Sequence, residues 1–286
     1  MQNKDIQKKT ADTFDRSCTH WSEKGRAEME RFYEIASIDY RHLAESRDWR
    51  TWLAGRANAI GARQLKLLDV ACGSGKFPAA LTLYSGIDNG SLEEIDYALL
   101  DPSRFSIDEA RAALAPPFVP SIEYEMTLQE LECPKGAFDI IWATHALYAL
   151  PPSELEDSLR GLTEACAGEA FIAHAFADSH YLRFQRLFLA AFDRVSETPY
   201  ASAEDVIAAL EAIGASFETT DITYENGARS DERDVIESYL QRCVFDDTIS
   251  LEQMEVADGL KNYLAGCRQG GAWRFKQHVA LISIFP

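Results

Sequence analysis

Two acidic residues and a glycine pair hold the clearest chemistry in this chain. The apolar run Leu67–Ala71 carries Asp69 and breaks into Gly73-Ser74-Gly75, and a second run, Ile95–Leu100, closes on Asp101-Pro102-Ser103. An apolar strand that ends in a glycine turn delivers backbone N–H groups to a nucleotide-like ligand. Glycines keep Cβ atoms out of that ligand's way. An acid at the end of the neighbouring strand is placed to accept hydrogen bonds from both hydroxyls of a ribose. A dinucleotide loop would need a third glycine where Pro78 stands, and the GxxxxGK[ST] phosphate loop is absent. A cofactor without pyrophosphate is the reading these residues favour, against the plainer one of a tight strand-to-helix turn.

Other chemistries find less support. The six cysteines show no CxxC pair and no zinc spacing, so no metal site is expected. Cys72 sits inside the glycine loop but has no paired base in the sequence, which argues against covalent catalysis. With 28 basic and 46 acidic residues the formal charge is −18, a field that repels nucleic acid and anionic membranes but tolerates a small neutral or cationic substrate. Lys4, Lys8 and Lys9 read as a solvated N-terminal helix. No window approaches the roughly 18 apolar residues of a membrane span, and no secretory leader is evident. A cytoplasmic protein is expected, with a monomer favoured.

The elements that must hold these residues alternate along the chain. A helical leader spans Ile6–Ile60, its aromatics (Phe14, Trp21, Tyr33, Tyr40) suited to a packing layer or to a cap over a site. Strands follow at Leu67–Ala71, Ile95–Leu100, Ser121–Met126, Phe138–Ala143 and Ala170–Ala175. Helices lie between them, with capping boxes read at Ser106/Glu109 and Ser153/Glu156. Such alternation predicts an α/β fold, a parallel sheet covered by helices on both faces. Beyond Phe176 helices near 181–192, 203–213, 234–242 and 251–264 interrupt two further strands, 216–224 and 273–285, as if inserted to build a smaller substrate lobe. The division is 1–60 cap, 61–176 cofactor-binding core, and 177–286 the remaining sheet with its insertions.

The glycine loop, the acid after the second strand and Phe138-Asp139-Ile140-Ile141 together resemble the class I S-adenosylmethionine-dependent methyltransferases, over about Leu65 to Ala175. The resemblance implies a Rossmann-like seven-stranded sheet and S-adenosyl-L-methionine as cofactor. Its amino-acid end would lie near Asp69, Ala71, Gly73 and Gly75, and its ribose on Asp101 with Pro102 and Ser106 alongside. Thr127 and Leu128 would flank the adenine, and Ala143, Thr144 and His145 would pass the methionine portion. A weaker resemblance to histamine N-methyltransferase spans most of the chain: Gly25-Arg26, Ser37-Ile38-Asp39, His145-Ala146-Leu147-Tyr148, Cys243-Val244-Phe245 and Gln277. It implies that Asp39, His145 and Gln277 surround the substrate.

In those roles Asp39 holds a cationic group and His145 accepts a proton or orients the nucleophile. The alternatives are a solvated Asp39, a His145 that only packs at a strand end, and a Gln277 that faces water. Tyr33, Tyr40, Tyr148, Tyr181, Phe184 and Phe245 are candidates to line the substrate site, where ring faces attract cations, or are plain core. The function expected is methylation of a small polar, nitrogen-containing molecule. Two alternatives keep the cofactor: an enzyme that cyclises or cleaves S-adenosylmethionine itself, and a binding protein without catalysis.

Overall fold

The computed structural model describes residues 16–17, 20–87, 90, 92–194 and 198–286. Phe14, the basic cluster at 4–9 and the first part of the leader lie outside the described residues. Seven strands form one sheet: β1 (Leu65–Val70), β2 (Ile95–Leu100), β3 (Phe118–Tyr124), β4 (Phe138–Thr144), β5 (Cys166–Ala175), β6 (Ser216–Asn226) and β7 (Phe275–Phe285). Their order is β3-β2-β1-β4-β5-β7-β6. The first five are mutually parallel, and β7 runs antiparallel between β5 and β6. This is the α/β architecture expected, and the strand order reverses between β1 and β4, where open sheets leave a crevice.

Burial on both faces explains the near-continuous apolar runs of the central strands. Leu67, Trp142 and Phe171 face one hydrophobic cluster, while Leu68, Ile141 and Ile172 face another on the opposite side. On the first face lie α2 (Trp49–Ile60), α3 (Lys76–Tyr84) and α4 (Arg104–Ala113); on the second lie α5 (Leu155–Ala165) and α7 (Ala203–Ala212). Trp49, fully buried, packs edge-on against Phe77, Trp142 and Phe171 and fastens the leader to the sheet. Glu169, buried in β5, accepts from Trp52 at 3.0 Å and pairs with Arg47 and Arg56, so the same leader is held by charge-assisted hydrogen bonds.

The leader helix α1 (Arg26–Glu45) and the late helices pack on one another. Met29, Phe32 and Ile35 of α1 share a cluster with Phe184 and Phe188 of α6 (His180–Ala191) and with Ile236, Tyr239 and Leu240 of α8 (Arg233–Arg242). Three local expectations change. Residues 251–264 form two helices, α9 (Leu251–Val256) and α10 (Leu260–Cys267), separated where Gly259 takes φ 81°. The cap of α4 is Ser103, whose hydroxyl accepts from the N–H of Ser106 at 3.3 Å, so Ser106 lies inside the helix. The helix after Pro151-Pro152 begins with a 3₁₀ turn, and Ser153 caps nothing there. Among the described residues no helix is long and apolar enough to cross a membrane.

Candidate functional site

The carboxyl ends of β1, β2 and β4 open onto a cavity of about 150 Å³. The turn after β1 reaches it through alternating left-handed residues, Ala71 (φ 51°), Gly73 (φ 51°) and Gly75 (φ 67°). The two glycines serve different ends. A Cβ at Gly73 would meet only the Tyr33 hydroxyl, at 3.8 Å, so the missing side chain is room left open in the cavity. A Cβ at Gly75 would stand 3.0 Å from Ala110 Cα and 3.1 Å from Ala113 Cβ, so this glycine lets α4 pack closely on the turn. Gly75 is thus a packing residue and not the second opening toward a ligand that the sequence suggests.

Asp101 fixes the rim. Its Oδ2 accepts from the N–H of Gly73 at 3.1 Å and its Oδ1 from that of Ser103 at 2.9 Å. Burial pushes its carboxyl up to about 6 against these bonds, and no cation is among its partners. Asp69 lies deeper, where burial raises it to about 7 and the Tyr97 hydroxyl donates to it at 2.7 Å. Thr127 and Leu128 wall the far side of the cavity, and Glu130 holds Thr127 by accepting from its N–H and its hydroxyl, each at 2.9 Å. Lys76, at the first turn of α3, is the one Lys or Arg among the described residues lining this cavity; its ammonium stands 4.5 Å from the centre of the Tyr33 ring. Burial lowers its pKa, with Glu109 and Glu30 opposing.

Behind this cavity lies a smaller chamber of about 50 Å³, and Trp21, Tyr40 and His145 line both. Asp39 is enclosed by protein and keeps its free surface toward the chamber. It accepts from Asn226 at 2.9 Å, yet burial still lifts its carboxyl to about 7. His145 adopts φ 55°, a strained backbone of the kind that clusters at functional sites. Its Nδ1 lies 2.8 Å from the Tyr148 hydroxyl, which in turn accepts from the N–H of Ala175 at 3.2 Å. Burial, with a smaller push from His174, lowers the imidazole to about 3. His145 is therefore neutral near pH 7 and a weak proton acceptor.

The structure brings Asp69, Ala71, Gly73, Asp101, Pro102, Thr127, Leu128, Thr144, His145 and Tyr33 to the outer cavity. Asp39, Tyr40, Tyr148, Tyr181 and Gln277 come to the chamber. Gln277 is buried rather than facing water. Its oxygen accepts from Ser179 at 2.8 Å and its nitrogen donates to Asn226 and Tyr239, both at 3.2 Å, which makes it a brace for the chamber wall. Four others lie elsewhere. Ser106 sits behind Asp101 and hydrogen-bonds to it; Ala143 is core beneath β4; Phe184 joins the α1–α8 cluster; Phe245 packs with Tyr200 outside the chamber. Sequence reading missed Lys76, which stood next to the quoted glycine loop, and Tyr224 and Asn226, visible only once β6 pairs with β7 opposite Gln277 and Phe275.

Trp21 belongs to a strap over both compartments. Its carbonyl accepts from the Ser103 hydroxyl at 2.6 Å, while the buried Arg242 donates to the carbonyls of His20 and of Gly25, the latter at 2.9 Å. The Arg242 guanidinium also lies 5.1 Å from the Trp21 ring centre.

Comparison with known proteins agrees with this layout. Residues 68–167 match the family model described as a methyltransferase domain. Magnesium protoporphyrin IX methyltransferase from Synechocystis, solved with bound SAH (S-adenosylhomocysteine), is 13% identical with a TM-score of 0.53, over 94% of this chain and 97% of that one. A putative methyltransferase from Bacillus halodurans is 13% identical with a TM-score of 0.51, over 82% and 97%. At such identity these structures speak to the fold. No curated protein shows a significant match. Residues 68–167 thus form a methyltransferase domain, seated in a seven-stranded α/β sheet of the class I methyltransferase fold.

Proposed function

We propose that this enzyme methylates a small polar, nitrogen-containing molecule seated in the inner chamber. The observation that carries the reading is Asp39: a buried carboxylate with neutral partners, facing a space that shares Tyr40 and His145 with the cofactor cavity. A carboxylate in that setting is short of positive charge. A protonated nitrogen supplies it.

The residues of the outer cavity fit the cofactor. Asp101, buried without a cation, suits a pair of ribose hydroxyls; the open face of Gly73 leaves room for the chain beyond them; Lys76 suits the carboxylate of the amino-acid end. When bound, S-adenosylmethionine supplies a methyl group on a sulfonium. The protein's part is then to orient the acceptor, exclude water and hold a proton. Asp39 binds the acceptor's charged nitrogen and, with its carboxyl raised to about 7, is the better proton holder of the two candidates. His145, kept neutral, is a polar wall between the compartments, fixed by Tyr148. Trp21 and the tyrosines keep the space dry.

The test is product analysis by mass spectrometry after incubation with S-adenosylmethionine and a panel of small amines. Adenosylhomocysteine formed only when an amine is present, with the amine gaining one methyl group, is the expected outcome. Thioadenosine-type products from the cofactor alone would overturn the transfer reading.

A further inference from the structure

We infer that the inner chamber admits only amines that carry no acidic group, and so selects a simple amine over the corresponding amino acid. The inference rests on the methyl-acceptor reading of that chamber and narrows it.

The chamber wall holds one acid, Asp39, and no Lys or Arg among the described residues that line it. The amides at its wall are spent on each other and on their neighbours. The nitrogen of Asn226 donates to Asp39 and its oxygen accepts from Gln277; Gln277 is further tied to Ser179 and Tyr239. His145 Nδ1 meets Tyr148, and its Nε2 is shielded from any free volume, without a partner. What is left is a carboxylate surface and the rings of Trp21, Tyr40, Tyr181 and Tyr224, with neutral hydroxyl and indole N–H groups but no cation among the described residues. An ammonium group is favoured by both features.

A carboxylate brought into the same space would lose its hydration with only neutral hydroxyl and indole N–H donors to replace it, those of Trp21, Tyr40, Tyr181 and Tyr224, in the field of Asp39. Burying an unpaired anion is among the most unfavourable changes in a protein interior. The outer cavity has the opposite equipment: Lys76 stands there as a half-buried ammonium with no ion pair among the described residues. The two compartments thus divide the charges. A ligand end bearing both signs is accommodated outside, beside Lys76 and the acids of β1 and β2, whereas the chamber within takes a single positive charge.

Three matched pairs test this on the full chain saturated with adenosylhomocysteine, by calorimetry: isobutylamine with valine, phenethylamine with phenylalanine, and imidazole with imidazole-4-acetate. At least one amine or imidazole should bind, and tenfold or more tighter than its acid-bearing partner. In Asp39→Asn that preference should shrink by tenfold or more while adenosylhomocysteine affinity stays within twofold. An acid-bearing member that binds as tightly as its partner overturns the inference, as does failure of every member to bind the adenosylhomocysteine-loaded protein. The wild-type comparison decides even if the variant folds poorly. Failure of adenosylhomocysteine itself to bind would instead count against the cofactor assignment.

Discussion

Lys76→Met probes the cofactor cavity without disturbing its hydrogen bonds. Lys76 occupies the first position of α3, where a positive charge opposes the helix dipole by about 0.3–1 kcal/mol. Its ammonium has an aromatic face beneath it and no ion pair among the described residues. Removing it should therefore leave the free protein as stable as before or slightly more so. The cofactor should pay the difference. A charge-assisted hydrogen bond contributes about 1.5–3 kcal/mol, which the partial exposure of Lys76 reduces to about 1–2 kcal/mol, or roughly a 5- to 30-fold loss of affinity. Calorimetry with two ligands isolates the contact: adenosylhomocysteine carries the amino-acid end, and 5′-methylthioadenosine lacks it. The first should weaken by that factor and the second by less than about twofold, within the error of such additivity. Lys76→Arg should retain most of the affinity. Equal weakening of both ligands, or of neither, would refute the assignment.

The glycine pair gives a second contrast. Gly75→Ala forces a methyl group to 3.0 Å from the backbone of Ala110 and should lower stability by about 2–4 kcal/mol in urea unfolding. Gly73→Ala has space for its methyl and should cost about 1–2 kcal/mol of stability for the left-handed backbone alone, while weakening adenosylhomocysteine binding more than Gly75→Ala does. Asp101→Asn keeps the size of the side chain but loses the charge for the ribose and one of the two backbone N–H bonds, and a fall in affinity of about tenfold or more is expected by calorimetry. Asp39, Asp69 and Asp101 hold their protons to about 7, 7 and 6 when folded, against about 3.8 when unfolded. Their contribution to stability is therefore fully present below about 3.8, is lost progressively above it, and is gone once pH passes 6 to 7. The melting temperature of the free protein should fall between pH 5.5 and 8, and less steeply in Asp39→Asn; identical slopes would show that Asp39 ionises normally.

The sheet was legible because its signals are local. Apolar runs buried on both faces, such as Leu67–Val70 and Phe138–Thr144, need no partner to be recognised as central strands, and the turn after β1 announces itself through glycine. The acids at the strand ends follow from topology alone. The helix starts were less legible, because Ser103 and Ser106 both satisfy a cap pattern and only the Asp101 turn decides that Ser103 takes it. The chamber was the hardest to see. Asp39 reads as a surface residue on α1 until Tyr224 and Asn226 arrive from β6, some 187 positions away in the case of Asn226. Gln277 drew notice for its polarity in an apolar strand, and its bonds to Ser179, Asn226 and Tyr239 show that it also braces the chamber wall it lines. Phe245, chosen for being aromatic, lies behind Tyr200, since ring type carries no direction.

The strap at residues 20–25 is fastened through main-chain oxygens: Arg242 grips those of His20 and Gly25, and Ser103 that of Trp21. Gly25 is needed as well, because a Cβ there would fall 2.5 Å from the carbonyl oxygen of His20. None of these three hydrogen bonds uses a side chain of residues 20–25. Position 21, whose ring lines both compartments, is then a place where acceptor preference can be rewritten by exchanging one side chain, without redesigning the closure that carries it.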